Sequence, residues 1–325
     1  MKDSFGRNVH SMRISVTDRC NMRCDYCVSG DKLQLRPAQE LLSLEEIETI
    51  VRAAGTLGFD TFRFTGGEPL VREGVPGLIE RVGALPGIRK LSLSTNGSLL
   101  ARHVDQLADA GVTGLNISLD SLVTERFRRI TRGGNLARVL EGIGAALRKD
   151  RFTVKLNAVI VRGINDDELD ELASLTLNQP LTVRFIEYMP FGAWRAGGEN
   201  EPDPTISTQE MMQVLERRFD VEENVSGPVG EGPARYVKIK GAEGFIGLIS
   251  PVYQPFCERC NRIRLTSDGH IKSCLLQDDR FALRDWMRGP EYSYSELVMR
   301  VRDAVLLKPR EHSYSRGLDM STVGG

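Results

Sequence analysis

Met12–Thr17 alternates apolar and polar side chains, the period of a strand. Further on, Ser43-Leu-Glu-Glu46 spells a capping box, and Ile47, Ile50, Val51, Ala54 and Leu57 recur at helical spacing until Gly58. The same two-beat pattern then repeats. Strand-type runs at Thr61–Thr65, Lys90–Thr95, Gly114–Leu119, Thr153–Val161 and Leu181–Tyr188 alternate with helix-type runs at Val75–Leu85, Ala101–Ala110, between Thr124 and Lys149, at Asp166–Leu175 and at Ser207–Phe219. Six strand-then-helix units in succession predict an all-parallel α/β sheet. A doubly wound sheet and a barrel both satisfy that pattern, but no G-x-G-x-x-G or Walker A run is present. The expected fold is therefore α/β, an incomplete parallel (β/α)6 TIM-like barrel with its chemistry at the C-terminal ends of the strands.

After Phe219 the pattern changes. The stretch Arg195–Pro204 is rich in Gly, Pro and acidic residues, the composition of a mobile loop. Arg235–Lys240 and Gly244–Ser250 flank Gly241–Glu243 as a β-hairpin would. The expected division is a barrel over residues 1–220 and a smaller C-terminal lobe over residues 221–325.

At 325 residues the chain can bury one large core and an appended lobe. With 43 Lys and Arg against 44 Asp and Glu, it has no excess charge to attract nucleic acid or a membrane surface. No stretch approaches twenty apolar residues and residues 1–12 carry no signal-peptide run, so the expected location is the cytoplasm. Disulfides are rare there. The six cysteines, falling as Cys20/Cys24/Cys27 and Cys257/Cys260/Cys274, read instead as two metal centres.

The first group, Cys20-x3-Cys24-x2-Cys27, follows the first strand and can hold a compact metal centre from a single loop. A zinc site completed by Asp18 or Asp25 satisfies it. So does an iron–sulfur cubane, and because a cubane normally takes four cysteines, a trio leaves one iron open to a small molecule. The second group, Cys257-x2-Cys260-x13-Cys274, leaves a similar choice between zinc with His270 as fourth ligand and a second cluster. Other polar residues gather at strand ends: Gly66-Gly-Glu-Pro69 after the second, Ser94–Gly97 after the third, Ser118 and Asp120 after the fourth and Met189 after the sixth. Gly67 lets a backbone approach a ligand, Glu68 can accept from an ammonium group, and Tyr26 can pack either in the core or on an adenine.

Cations occupy the inward phase of several strands. In the fifth strand Val154, Leu156, Ala158 and Ile160 form the helix-facing set, which leaves Lys155 and Asn157 pointing inward. Arg13, Arg63 and Arg184 raise the same question, and Arg262 and Arg264 share one face between the second-group cysteines. Such groups pair with a carboxylate such as Glu187, or they bind a polyanion. The chain closes on Gly324-Gly325, a frayed tail or a segment small enough to enter a narrow site.

Together, C-x3-C-x-Y-C, R-x-T-G-G-E-P-L, S-T-N-G, S-L-D, F-C-x2-C-N-R-I-R-L and the terminal Gly-Gly resemble the GTP 3′,8-cyclases of molybdenum-cofactor biosynthesis, radical S-adenosylmethionine (SAM) enzymes. The likeness runs from about Arg13 to Gly325. It implies that Cys20, Cys24 and Cys27 hold a [4Fe–4S] cluster that cleaves SAM, with Tyr26, Gly67, Glu68, Ser118 and Met189 around that cofactor. It assigns Arg13, Arg63, Ser94, Lys155, Arg262 and Arg264 to GTP, and Cys257, Cys260 and Cys274 to a second [4Fe–4S] cluster. Gly324 and Gly325 would reach the active site. The implied reaction takes hydrogen from C3′ of GTP and joins that carbon to C8 of the guanine. The implied partners are a reductant protein such as flavodoxin or ferredoxin, the downstream cyclic pyranopterin monophosphate synthase and a second copy in a homodimer. Val28-Ser29 depart from the Met-Pro usual after the third cysteine. Two other readings stay open: a two-cluster radical enzyme acting on a peptide, and a non-catalytic iron–sulfur or zinc binding protein.

Overall fold

A computed structural model describes residues 1–27, 35–189, 203–223, 225–228, 232–251, 253–277 and 281–311. Six strands fall where the alternation predicts them: β1 (Ser11–Ser15), β2 (Thr61–Thr65), β3 (Lys90–Thr95), β4 (Gly114–Ser118), β5 (Thr153–Ile160) and β6 (Thr182–Glu187). Between and after them run α1 (Leu44–Thr56), α2 (Val75–Gly83), α3 (Leu100–Asp109), α4 (Thr124–Ile130), α5 (Leu136–Leu147), α6 (Leu169–Ser174) and α7 (Thr208–Arg218). The capping box of α1 is formed: Glu46 N donates to Ser43 Oγ at 3.1 Å, and Ser43 N to Glu46 Oε2 at 2.7 Å. Ser207 and Glu210 start α7 in the same way. Each strand sends one apolar row outward, such as Met12 and Ile14, Phe62 and Phe64, or Val154 and Leu156. These rows are buried with Ile47, Ile50, Leu78 and Val82 of the helices in one continuous core.

Among the described residues the remaining strands are β7 (Val221–Glu222), β8 (Arg235–Ile239), β9 (Phe245–Ile249), β10 (Arg262–Leu265), β11 (His270–Lys272) and β12 (Phe281–Ala282), and the remaining α-helices are α8 (Arg284–Met287) and α9 (Tyr294–Leu306). The expected hairpin is present as β8 and β9, turning at Gly241 with φ 78°. Periodicity does not reveal where these strands go. β9 pairs parallel with β6 and β10 pairs parallel with β1, so late segments of the chain flank the six-strand set on both sides. The order is β12-β11-β10-β1-β2-β3-β4-β5-β6-β9-β8-β7, and among the described residues no ladder joins its two ends. The barrel is open, as expected.

Pairing β10 to β1 in parallel has one large consequence. Ser11 lies opposite Arg262, so Cys257 and Cys260 sit at the N-terminal end of the parallel strands, while Cys20–Cys27 leave from the C-terminal end of β1. β11 runs antiparallel to β10 and returns Cys274 to the same end as Cys260. At about 3.3 Å per strand residue, roughly 15–20 Å of strand separates the two cysteine sets.

Candidate active site

A cavity of about 370 Å³ lies inside the curl of the sheet, within the range of small-molecule sites. It is lined by Arg13 of β1, Arg63 of β2, Ser94 of β3, Asn116 and Ser118 of β4, Asn157 of β5, Arg184 of β6, Ile249 of β9, and Arg262 and Arg264 of β10. Only a curled sheet brings so many strands to one space. Cys20, Cys24 and Cys27 line it, as do Cys257, Cys260 and Cys274.

The first cysteine loop is tied down by the turn after β2. Gly67 N donates to Thr17 O and Glu68 N to Arg19 O, both at 2.9 Å. Gly67 has a tighter reason to be glycine than ligand approach, because a Cβ there would lie 2.3 Å from Arg19 O and 3.0 Å from Cys20 Cβ. From the other side, Asp25 N donates to Ile130 O at 3.0 Å and Arg132 Nε pairs with Asp25 Oδ1 at 2.5 Å. Cys20 Sγ accepts from Met22 N at 3.4 Å and from Asn96 Nδ2 at 3.7 Å. Burial pushes the Cys24 thiol well above its ordinary value, and Asp120 adds to it. Such a thiol ionises when a metal supplies the positive charge.

Tyr26 Oη donates to Asp120 Oδ2 at 2.8 Å, and Asp120 Oδ1 accepts from Val159 N at 2.9 Å, which fixes the ring against the cavity. Gly67, Ser118 and Met189 line the same space. Glu68 stands differently from expectation. It is fully buried, does not line the cavity, and accepts from Leu70 N (3.1 Å), Thr95 Oγ1 (2.8 Å) and Asn96 N (2.6 Å). Burial raises its carboxyl to about 7. Its observed contacts bind the turn after β2 to the end of β3 rather than lining the cofactor space.

The middle of the cavity is cationic. Arg13 lies opposite Arg264 on one side and Arg63 on the other, and Arg184 opposite Asn157. Burial, with the neighbouring guanidiniums adding to it, lowers Arg63 to about 9, Arg264 to about 10 and Arg13 well below its ordinary value. Arg184 falls to about 10 through burial and Arg262. Arg184 donates to the neutral Asn116 Oδ1 at 2.5 Å and Arg63 Nε to the neutral Ser92 Oγ at 3.4 Å. Glu187, the carboxylate offered by the sequence, accepts from Thr208 N at 2.9 Å and Ser250 Oγ at 2.7 Å. Asn116 escapes the sequence reading, although a polar residue on the inward phase of an apolar strand is the signal that finds Lys155 and Asn157.

Lys155 is buried and does not line the cavity, and burial, then Arg184, Lys90 and Arg63, lower it to about 7. Its unfolded value is about 10.4. The native chain therefore binds fewer protons here than the unfolded chain between those values, so stability rises with pH across that window and is least favoured below it. Melts of the ligand-free protein from pH 7 to 10 are expected to climb more steeply than those of Lys155→Met. Parallel curves for the two would remove the buried ammonium from the account.

At the N-terminal end, Phe256 stacks on Arg262 with 5.4 Å between guanidinium carbon and ring. Burial pushes the Cys260 thiol up, but Lys308 and Arg262 outweigh it and the net shift is downward. His270 does not join this set. β11 carries it away from Cys274, and its Nδ1 lies 3.2 Å from Asp268 Oδ1. Asp18 is likewise engaged elsewhere, accepting from Arg36 N at 2.8 Å. Val28, Ser29, Gly324 and Gly325 lie outside the described residues, as does most of Arg195–Pro204.

A model of the radical SAM superfamily matches residues 14–176, and a model described as Molybdenum Cofactor Synthesis C matches residues 181–314. A protein named GTP 3′,8-cyclase from Pelotomaculum thermopropionicum is 42% identical over 332 residues, covering 100% of both chains. One of the same name from Alkaliphilus metalliredigens is 42% identical over 96% of this chain and 94% of its own. This chain belongs to the GTP 3′,8-cyclase family. Among solved structures, Streptococcus suis SuiB bound to precursor peptide SuiA matches with TM-score 0.56 at 14% identity, over 92% of this chain and 70% of that one. SuiB bound to S-adenosylmethionine gives 0.52 at 13% identity, over 88% and 60%. Those likenesses concern the fold alone.

Members of the radical SAM superfamily use a [4Fe–4S] cluster and SAM, and the donor sets of this cyclase-family chain fit clusters. Both trios are free thiols, half-buried and facing one cavity. Among the described residues no three His, Cys, Asp or Glu side chains converge on a single metal ion. Donation of Met22 N and Asn96 Nδ2 to Cys20 Sγ is the kind of hydrogen bond that tunes cluster sulfurs.

Proposed function

We propose that this chain converts GTP to (8S)-3′,8-cyclo-7,8-dihydroguanosine 5′-triphosphate in molybdenum-cofactor biosynthesis, with two [4Fe–4S] clusters and SAM. The observation that carries this reading is the layer of buried guanidiniums between two cysteine sets at opposite ends of one cavity. A peptide substrate would leave that layer without a counter-charge, and a simple metal-binding protein would have no use for it. When bound, the clusters and SAM supply the electron transfer and radical chemistry that no side chain can.

The chain's own work is holding and excluding. Cys20, Cys24 and Cys27 would bind one cluster, and Tyr26, Gly67, Ser118 and Met189 would border the cofactor. Arg13, Arg63, Arg184, Arg262, Arg264 and Lys155 would neutralise the triphosphate, with Ser94 donating a hydroxyl. Forked guanidiniums suit phosphate oxygens, and in a buried space such bonds are stronger than at a surface. Cys257, Cys260 and Cys274 would bind the second cluster at the far end, leaving the nucleotide between the two. Holding reacting atoms near contact distance supplies much of the rate.

Gly324 and Gly325, a division near residue 220, a cytoplasmic setting, a flavodoxin- or ferredoxin-type reductant, the downstream synthase and a homodimer belong to this reading on family grounds. Among the described residues no helix is long and apolar enough to cross a membrane. The deciding experiment is anaerobic reconstitution followed by incubation with GTP and SAM. Uptake of about eight irons per chain, at four per cubane, and formation of the cyclised nucleotide are expected. SAM cleavage with GTP recovered unchanged would sink the assignment.

A further inference from the structure

Lys308 follows α9 and is 3% exposed. Its Nζ donates to Ser273 O at 2.8 Å and to Arg262 O at 3.0 Å. Those acceptors are the first residue of β10, two residues after Cys260, and the neighbour of Cys274. Among the described residues it meets no carboxylate. A buried ammonium whose acceptors are neutral is unfavourable unless an anion completes its surroundings. The segment that carries it is fixed in place by Arg7. That guanidinium donates to Pro309 O at 2.6 Å, Arg310 O at 3.0 Å and Cys257 O at 2.9 Å, and its Nε pairs with Asp3 Oδ2 at 2.6 Å. One cation thus spans two of the three cysteine positions from behind, while a second holds the third cysteine's backbone and the span 309–310.

We propose that Lys308 is the positioning residue and counter-charge of the C-terminal cysteine centre, holding the start of β10 after Cys260 and the residue before Cys274 and making the cluster bound there easier to reduce. The proposal rests on the reading of that trio as cluster ligands. A positive charge next to a redox centre favours its more negative, reduced state, so removing it lowers the potential. Charge and hydrogen bonds to sulfur are established levers on cluster potentials.

The test compares the parent with Lys308→Met, of similar reach without charge, and Lys308→Arg, which keeps the charge. Each is reconstituted with iron and sulfide, assayed for iron, titrated electrochemically with spectroscopic detection, and melted with and without clusters. In Lys308→Met the ratio of reduced to oxidised second cluster at a fixed potential is expected to fall about tenfold, a shift of about 59 mV, or iron falls to about four per chain. Its cluster-free melt should change less than its loaded melt, and Lys308→Arg should stay near the parent. A parent-like potential and iron content in Lys308→Met would overturn the proposal, as would equal losses in the cluster-free and loaded melts. If the parent itself takes up only about four irons, the second-centre reading falls and takes this one with it.

Discussion

Replacing Arg13 by Met is expected to weaken GTP binding about 12- to 150-fold and, at the same time, to raise the melting temperature of the ligand-free chain. The two signs come from one cause. Arg13 is held well below its ordinary protonation range, first by burial and then by Arg264, Arg63, Arg262 and Arg184. Without an anion, four neighbouring guanidiniums repel that of Arg13 in a buried space, and a methionine of similar volume relieves both the repulsion and the desolvation. With a triphosphate bound, the same guanidinium makes a charge-assisted bond worth roughly 1.5–3 kcal/mol, which gives the range of affinity loss. Titration calorimetry with GTP and a thermal melt of the ligand-free protein read the two effects separately. A lower melting temperature with unchanged GTP affinity would mean that the arginine supports the fold and does not serve the substrate.

Gly67→Ala is expected to remove the first metal centre while sparing the second. The added Cβ would lie 2.3 Å from Arg19 O and 2.6 Å from Arg19 C, and these backbone atoms cannot swing aside as a flexible side chain would. Arg19 directly precedes Cys20, so relief must displace the cysteine loop. Overpacking of this kind costs about 1–3 kcal/mol, and a misplacement of about 1 Å is enough for roughly a 100-fold loss in rate. Iron should fall from about eight toward about four per chain, and methionine release from SAM should drop by at least that ~100-fold. Parent-like SAM cleavage in the variant would show that the turn yields where the geometry says it cannot.

Both variants act at residues visible in the sequence, but for reasons of different depth. Arg13, Arg63 and Lys155 are legible because strand alternation is local and puts every second residue on the inner face. Gly67 is legible as part of a motif, yet its contact with the residue before Cys20 lies across two strand ends and has no local signature. Glu68 reads as a ligand-facing acid, whereas its contacts cross to Leu70, Thr95 and Asn96. Lys308 gives no signal at all. A single lysine after an amphipathic helix is ordinary, and only the packing of α9 against α1 and β11 brings it to the carbonyls of Arg262 and Ser273.

By itself the sequence determined the six β/α units, their parallel arrangement, the two cysteine trios and the inward phase of the cations. Those follow from periods of 2 and 3.6 and from spacings within a loop, which the chain carries locally. Tertiary structure alone decided that β10 joins β1 across some 250 residues, that β9 joins β6 on the opposite flank, and hence that the two trios face each other from opposite ends of one cavity. It also removed His270 from the second trio by running β11 antiparallel to β10. Strand periodicity says which face a residue takes. It does not say which edge a strand will find, because that choice is made by long-range burial and hydrogen bonding between segments that no local pattern relates.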